Sequence, residues 1–302
     1  MSTPAAGGRP RLSVLVAGGT GRLGQLVVKQ LLDDGHGVRV LARHPDAGAD
    51  LRSRGAEVVG ADVRDSASLA EPLAGCDIVV SAVHGMDPAK EGSPETVDRD
   101  GNANLVAASA RKGASVVLMS VIGAAPDHPM ELFRMKWAAE ENLRHSGVPW
   151  TVVRASAFAD LWAEILRQTA RGSGRPTVFG RGDNPLNFVA VSDVAGAVVR
   201  AVEDASLRGE VIEVGGPENL TLNQLADRVL PGRPPRHVPR MALHAMGLVA
   251  RPVRPGLARM ARTGLAMDTT DQRFDPSASL TAYPWLSCTR VDPGVHSTGV
   301  ET

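Results

Sequence analysis

Between residues 12 and 153 the chain alternates short apolar runs with amphipathic stretches. The runs fall at Leu12–Val16, Val38–Leu41, Glu57–Val59, Ile78–Val80, Val116–Met119 and Thr151–Val153. Their length and their Val and Ile content predict strands buried on both faces. Helical patterns lie between them, for example Ala103–Arg111 and Leu132–Arg144. After the first run, Leu23, Leu26, Val27 and Leu31 recur at i, i+3, i+4 and i+8, one face of a helix. Ser68, with Glu71 three residues on, spells a capping box before a short helix. Repeated strand–helix units with short connections predict an α/β fold. Its core is a doubly wound parallel sheet with helices on both faces and right-handed crossovers.

After residue 154 the rhythm changes. Phe158–Thr169 is helical, and Gly172–Pro176 and Gly180–Pro185 read as loops. Ser192 or Asp193 is placed to cap a helix running to Val202, Val211–Val214 is a strand, and Thr221–Val229 is an amphipathic helix. The chain thus divides into residues 1–154, carrying the sheet, and a smaller, mainly helical part, residues 155–302. Residues 186–216 are expected to return to the main sheet. From Arg228 to Met267 there are eight arginines and no Asp or Glu. Met241–Ala250 and Leu257–Ala266 within it are helical, with prolines as punctuation. This segment is either the solvated basic face of a helical cap or a lid that meets an anionic ligand or acidic partner. From Asp268 patterning is poor, and the last 15 residues are expected to be loose.

Composition narrows the function classes. The chain has 302 residues, 43% of them hydrophobic, which suffices for a large core. Net charge is zero and aromatics make up 3%, which argues against direct nucleic-acid binding. The two cysteines, Cys76 and Cys288, lie far apart, and no Cys/His spacing suits a metal. The first ten residues lack a signal-peptide core, and no apolar run is long enough to span a membrane. A cytoplasmic protein, monomeric or homodimeric, is expected.

The most informative segment is Val14-Leu-Val-Ala-Gly-Gly-Thr-Gly-Arg-Leu-Gly24, in which Gly18, Gly21 and Gly24 form GxxGxxG between a strand and a helix. A turn of this kind offers backbone N–H groups at a helix N-terminus to a pyrophosphate. The second strand ends Val40-Leu-Ala-Arg43, with no acid to bond a ribose 2′-hydroxyl. Arg43 offers a cation for a 2′-phosphate instead, and Arg22 a second one, which favours NADP(H) over NAD(H). Arg43 is otherwise an ordinary exposed arginine. Asp62, after the third strand, either accepts from an adenine amino group or caps the next helix; capping is the favoured role for Asp65.

These blocks resemble the short-chain dehydrogenase/reductase superfamily, and within it the atypical, NmrA-like branch of NAD(P)-binding proteins. The likeness extends over Gly101-Asn-Ala-Asn-Leu105, Ser120-Val-Ile-Gly-Ala124, Lys136-Trp-Ala-Ala-Glu-Glu141, Gly147-Val-Pro-Trp-Thr151, Val191-Ser-Asp-Val-Ala195 and Gly215-Gly-Pro217. It runs from about residue 12 to 229. It implies a Rossmann domain whose cofactor contacts are Gly18, Thr20, Gly21, Arg22, Leu23, Gly24, Arg43, Asp62, Val63, Ser81, Ala82, Val83 and Lys136. The superfamily's Tyr-x-x-x-Lys pair is broken: Lys136 is present, but Leu132 stands where the tyrosine belongs. The single tyrosine is Tyr283, and Asp98 replaces the usual asparagine.

With the phenol missing, the remaining candidates for chemistry are Lys136, Ser120 and His84. Lys136 is expected to bond the nicotinamide ribose and to stabilise a developing oxyanion. Ser120 would bond the same oxygen, and His84 would face the nicotinamide or the substrate. Each also has a plain structural reading. Met86, Met130, Phe133, Phe158, Trp162 and Phe188 are expected to line an apolar substrate pocket near the strand C-termini, with Met241 and His244 closing it. The leading expectation is an NADPH-dependent reductase of a hydrophobic aromatic, quinone or enone substrate. A dinucleotide-sensing regulator acting through a protein partner, and an isomerase or coupling enzyme, are the alternatives.

Overall fold

Residues β1 (Ser13–Ala17), β2 (Gly37–Ala42), β3 (Glu57–Gly60), β4 (Ile78–Ser81), β5 (Ser115–Val121) and β6 (Trp150–Ala155) form the expected strands. The structure is a computed structural model and describes residues 10–87 and 91–290. The first nine residues, and residues 291–302 of the stretch expected to be loose, lie outside it. The remaining strands are β7 (Ala157–Phe158), β8 (Thr177–Phe179), β9 (Pro185–Val189), β10 (Val211–Val214), β11 (Asn219–Thr221) and β12 (Arg236–Val238). The main sheet has seven parallel strands in the order β10-β6-β5-β4-β1-β2-β3. The order reverses between β1 and β4, which pair with Val14 opposite Ile78 and Ala17 opposite Ser81. A crevice opens beyond the carboxyl ends of these two strands, where doubly wound sheets bind ligands.

Strand alternation explains the two-layer core. On β1, Val14 and Val16 face one layer, with Val27 and Leu31 of α1 (Arg22–Asp33) and Val194 and Val198 of α6 (Val191–Glu203). Leu15 and Ala17 face the other, with Leu105 of α3 (Asn102–Lys112) and Leu143 of α4 (Glu131–Arg144). Both faces of the central β1, β4 and β5 are covered, so these strands carry no polar alternation, whereas the edge strands β3 and β10 keep half-exposed positions. The short α2 (Ala49–Ser53) lies between β2 and β3.

A third apolar cluster belongs to the smaller part. It joins Leu166 of α5 (Ala159–Ala170), Leu186 and Phe188 of β9, and Leu222 and Leu225 of α7 (Leu222–Val229). Here β9 pairs with β7 and β11, and β8 with β12. Residues 185–189 therefore do not join the main sheet; α6 packs on it and β10 completes its edge. The helices α8 (Arg240–Val249), α9 (Pro255–Met267) and α10 (Ser277–Ala282) follow.

Three local expectations are corrected. Asp65, not Ser68, caps the turn Ser66–Leu69, its carboxylate accepting from the Ala67 N–H; Ser68 Oγ instead donates to the Asp62 and Asp65 carbonyls. The start of α6 is held by Asp160, whose carboxylate accepts from the Val191 N–H. Neither Ser192 nor Asp193 caps it: Asp193 accepts from the backbone and the hydroxyl of Thr289. That contact, with Leu286 buried against the main core, ties residues 268–290 to the body, so Cys288, Thr289 and Arg290 are not loose.

Candidate cofactor and substrate site

The crevice is walled by the glycine turn after β1 on one side and by Ala82, Val83 and His84 after β4 on the other. Gly18 has φ +83°, and a Cβ there would stand 2.6 Å from the Ala82 carbonyl oxygen. A Cβ on Gly24 would stand 2.2 Å from the Gly18 carbonyl oxygen. The turn is therefore packed against both its helix and the opposite wall. The start of α1 has no side-chain cap, so its first N–H groups remain for a ligand in the crevice. Gly18, Thr20 and Gly21 line it directly. Leu23 is buried in the core and can offer only backbone.

The far end of the crevice is charged. Arg43 lines it and donates to the Glu91 carbonyl at 3.1 Å. Arg64 clasps both carboxylate oxygens of Asp62, with Nη2 2.6 Å from Oδ2, and lies 3.2 Å from a Glu91 carboxylate oxygen. The Arg64 hydrogen bond holds the Asp62 carboxyl below its usual range. Asp62 caps no helix; it lines the crevice with its carboxylate paired to Arg64. Val63 lines the crevice and packs against Gly101. Arg22 is not among the residues at this end: its guanidinium pairs with Glu164 on α5.

Behind the Val83–Gly85 wall stands Lys136, buried on α4. Its ammonium donates to the Val83 carbonyl at 2.9 Å and lies 3.0 Å from Asp98 Oδ1. Asp98 is fully buried, and its other oxygen accepts from the Gly85 N–H at 2.8 Å. It sits in a widened π-type turn, Pro94–Gly101, ahead of α3. An ammonium has three donors, and two directions are taken by wall groups.

A family of proteins described as NAD(P)H-binding matches residues 18–205. The chain belongs to this NAD(P)H-binding family. The (4-alkanoyl-5-oxo-2,5-dihydrofuran-3-yl)methyl phosphate reductase of Streptomyces griseus is 34% identical over 229 residues, covering 74% of this chain and 75% of the relative. An NAD(P)H azoreductase of Xenophilus azovorans is 26% identical, covering 74% and 76%. An NADPH-dependent quinone oxidoreductase of Escherichia coli superposes with a TM-score of 0.73 at 20% identity, covering 92% of this chain and 96% of that one; this likeness speaks to the fold alone. In class the chain is an NAD(P)H-dependent oxidoreductase, and the short-chain dehydrogenase/reductase resemblance read from its motifs holds.

Within this NAD(P)H-binding fold the other expected site residues scatter. Ser120 is buried and donates to Glu140. Glu140 also binds Arg154 and Arg144, with Nη2 of each within 2.8 Å. Burial raises the Glu140 carboxyl, but hydrogen bonds from Arg154 and Ser120 outweigh this and hold it below its usual range. Ser120 is therefore part of a structural ion cluster between β5 and α4, not of the crevice wall. Ser81 is likewise committed, its hydroxyl 2.5 Å from Asn102 Oδ1. His84 does line the crevice.

Of the expected substrate pocket, Met130, Phe133, Trp162 and Phe188 do come together in the third cluster. Phe188 and Met130 are buried in its core, while Phe133 and Trp162 are half-buried at its edge. Phe158 belongs to the main-sheet core instead, and Met86 is half-buried in the loop after β4. Met241 and His244 are exposed and close nothing.

One residue of interest was not singled out from the sequence. His128, in the loop from β5 to α4, stacks on Phe133 with centroids 4.1 Å apart and planes 10° apart. Its Nδ1 accepts from the Met130 N–H at 3.1 Å, so the neutral ring carries its proton on Nε2. Burial pushes its pKa below the usual histidine value. Its signal was a histidine framed by Pro126 and Pro129, directly ahead of the helix that bears Lys136.

Proposed function

We propose that the chain reduces a hydrophobic aromatic, quinone or enone compound with NADPH, using Lys136 and His128 where its superfamily uses a tyrosine. The observation that carries this reading is the Lys136 ammonium, buried in the crevice wall between Val83 and Asp98, one helical turn from the half-buried Phe133. The glycine turn and the uncapped start of α1 fit a dinucleotide pyrophosphate, and Lys136 fits its nicotinamide ribose. The bound nicotinamide supplies a hydride; the protein binds, orients and stabilises charge. The ammonium of Lys136 anchors the ribose and offsets negative charge on the substrate oxygen. His128, neutral and protonated on Nε2, donates a hydrogen bond to that oxygen. Electron acceptors that spread charge over a ring or conjugated chain need no strong acid. The two relatives named for reductase and azoreductase activity on conjugated molecules are consistent with this choice.

The test is consumption of NADPH, followed by its absorbance, with panels of quinones, enones and simple ketones. Turnover of the first two and not the third is the expected outcome. Binding of NADPH without consumption by any of them would replace this reading with a dinucleotide-responsive regulator.

Arg43 selects the cofactor. With no carboxylate at the end of β2, a 2′-phosphate meets a cation there, and a charge-assisted pair is worth about 1.5–3 kcal/mol. Arg43→Asp should weaken NADPH binding by roughly 10- to 100-fold and leave NADH binding nearly unchanged, read by calorimetry. Equal losses for both would remove Arg43 from the site.

His128 predicts an acid limb. At neutral pH the ring is neutral. As pH falls below the usual histidine value it takes up a second proton, and Nδ1 can no longer accept from Met130. Turnover should therefore fall on the acid side, with a midpoint below that usual value because burial has lowered it. The same sign applies to stability: the folded form disfavours the charged ring, so this contribution is lost as pH falls. His128→Ala should lower kcat by about 10²-fold, the effect of one oxyanion donor, and abolish the limb. An unchanged pH profile would exclude His128.

A further inference from the structure

Helices α8 and α9 pack on each other as a hairpin at the end of the smaller part. Its stem is closely packed. Gly247 lies against Ala258 and Arg262, and Leu243, Ala258 and Ala261 are buried. Its base is fastened to the body. Arg240 Nε is 2.5 Å from Asp268 Oδ2 and Gly264 abuts the Phe179 side chain; nearer the turn, Arg259 Nε on α9 is 3.1 Å from a Glu131 carboxylate oxygen. Its free end is different in kind. Leu248, Val249 and Val253 are 74%, 76% and 79% exposed. Arg251, Pro252 and Arg254 between and beside them are exposed as well. Among the described residues seven large hydrophobic side chains are exposed, and six of them lie on this hairpin. Such a concentration marks an interaction surface rather than scattered surface apolarity.

We propose that the tip of the α8–α9 hairpin docks the protein on an anionic lipid surface. The charge pattern favours that occupant: no Asp or Glu occurs from Arg228 to Met267, so nothing on the hairpin repels anionic headgroups. Aliphatic side chains at a convex tip enter the acyl boundary, while the long stems of Arg251 and Arg254 keep their guanidinium groups at headgroup level. A second copy of the chain is the poorer fit. At the tip itself, Leu248 and Val249 at the end of α8 and Val253 in the turn after it are three aliphatic side chains within six residues, well short of the roughly 800 Å² per partner that a stable protein interface buries. The hairpin would hold the protein at the interface without spanning it, and no helix among the described residues is long and apolar enough to cross a membrane. This inference does not rest on the reductase reading.

The test is co-sedimentation of the full chain with vesicles of phosphatidylcholine alone and of phosphatidylcholine with phosphatidylglycerol. Binding to the anionic vesicles, weakened by salt and at least about tenfold weaker to the neutral ones, is expected. Val249→Asp with Val253→Asp should reduce vesicle binding at least about tenfold. Arg251→Glu with Arg254→Glu should abolish the preference for anionic vesicles. These side chains are largely in solvent, so melting temperature and NADPH binding should stay at the parent values. Absence of binding to anionic vesicles, or equal binding to both kinds, overturns the proposal. So does concentration-dependent self-association that the aspartate pair removes, which would make the tip an interface between copies.

Discussion

Replacing Gly18 by alanine should reduce dinucleotide affinity by about 10³-fold, with the sheet still formed. Two separate costs meet at this position. The residue has φ +83°, where an L side chain is strained by roughly 1–2 kcal/mol. A Cβ would also stand 2.6 Å from the Ala82 carbonyl oxygen and 2.8 Å from its carbon, closer than such contacts allow. Relief requires the turn after β1 to move away from the loop after β4. Those are the two walls of the crevice, so the N–H groups at the start of α1 lose their alignment with the pyrophosphate. Losing two charge-assisted hydrogen bonds at about 2 kcal/mol each accounts for the factor. Gly35→Ala is the matching control: its φ is +84° and nothing lies within 4 Å of its Cβ. It should show a small loss of stability and unchanged NADPH binding by calorimetry. Equal affinity losses in both variants would assign the effect to backbone strain and not to the crevice.

The parts of this architecture that were legible in the sequence are those governed by short-range pattern. The central strands β1, β4 and β5 are apolar runs because both of their faces are covered, and each run was visible without knowing its partners. The glycine turn was visible because its geometry is local. What escaped depends on contacts between distant residues. The strands β7 and β8 have two and three residues, too short for a period, and exist because β9 and β12 pair with them. The cap of α6 comes from Asp160, 31 positions earlier in the chain. The 268–290 stretch has little pattern because polar contacts hold it: Asn187 reaches the Phe274 carbonyl and Asp193 holds Thr289. At the site, Ser120 sits where a hydroxyl is expected, yet Glu140, four residues beyond Lys136 on α4, draws it into the ion cluster. Residue identity placed Ser120 beside the crevice; only the side chain of Glu140 shows that it is occupied. The reverse holds for His128, whose proline-flanked loop looked unremarkable until Phe133 and Met130 fixed its ring and tautomer.

Lys136→Met should lower kcat/KM by about 10³-fold, and a double variant can tell which part of that loss is chemical. Methionine keeps much of the volume and removes the charge. The Asp98 carboxylate is then left fully buried, with the Gly85 N–H as its remaining hydrogen-bond donor. Breaking a buried pair in this way costs about 3–5 kcal/mol of stability, and distortion of the Gly85 wall would also impair binding. Adding Asp98→Asn removes the stranded charge while an amide oxygen can still accept from Gly85. The pair Lys136→Met with Asp98→Asn should therefore melt near the parent temperature, because neither buried charge remains. Its turnover should stay low if the ammonium anchors the ribose and offsets charge on the substrate oxygen as proposed, since it is still absent. The expected kinetic signature is a kcat deficit that persists at saturating NADPH, alongside a dinucleotide affinity weakened by roughly tenfold. Turnover restored in the double variant would make Lys136 a wall residue that only neutralises Asp98, and His128 would then be left as the sole group stabilising charge on the substrate.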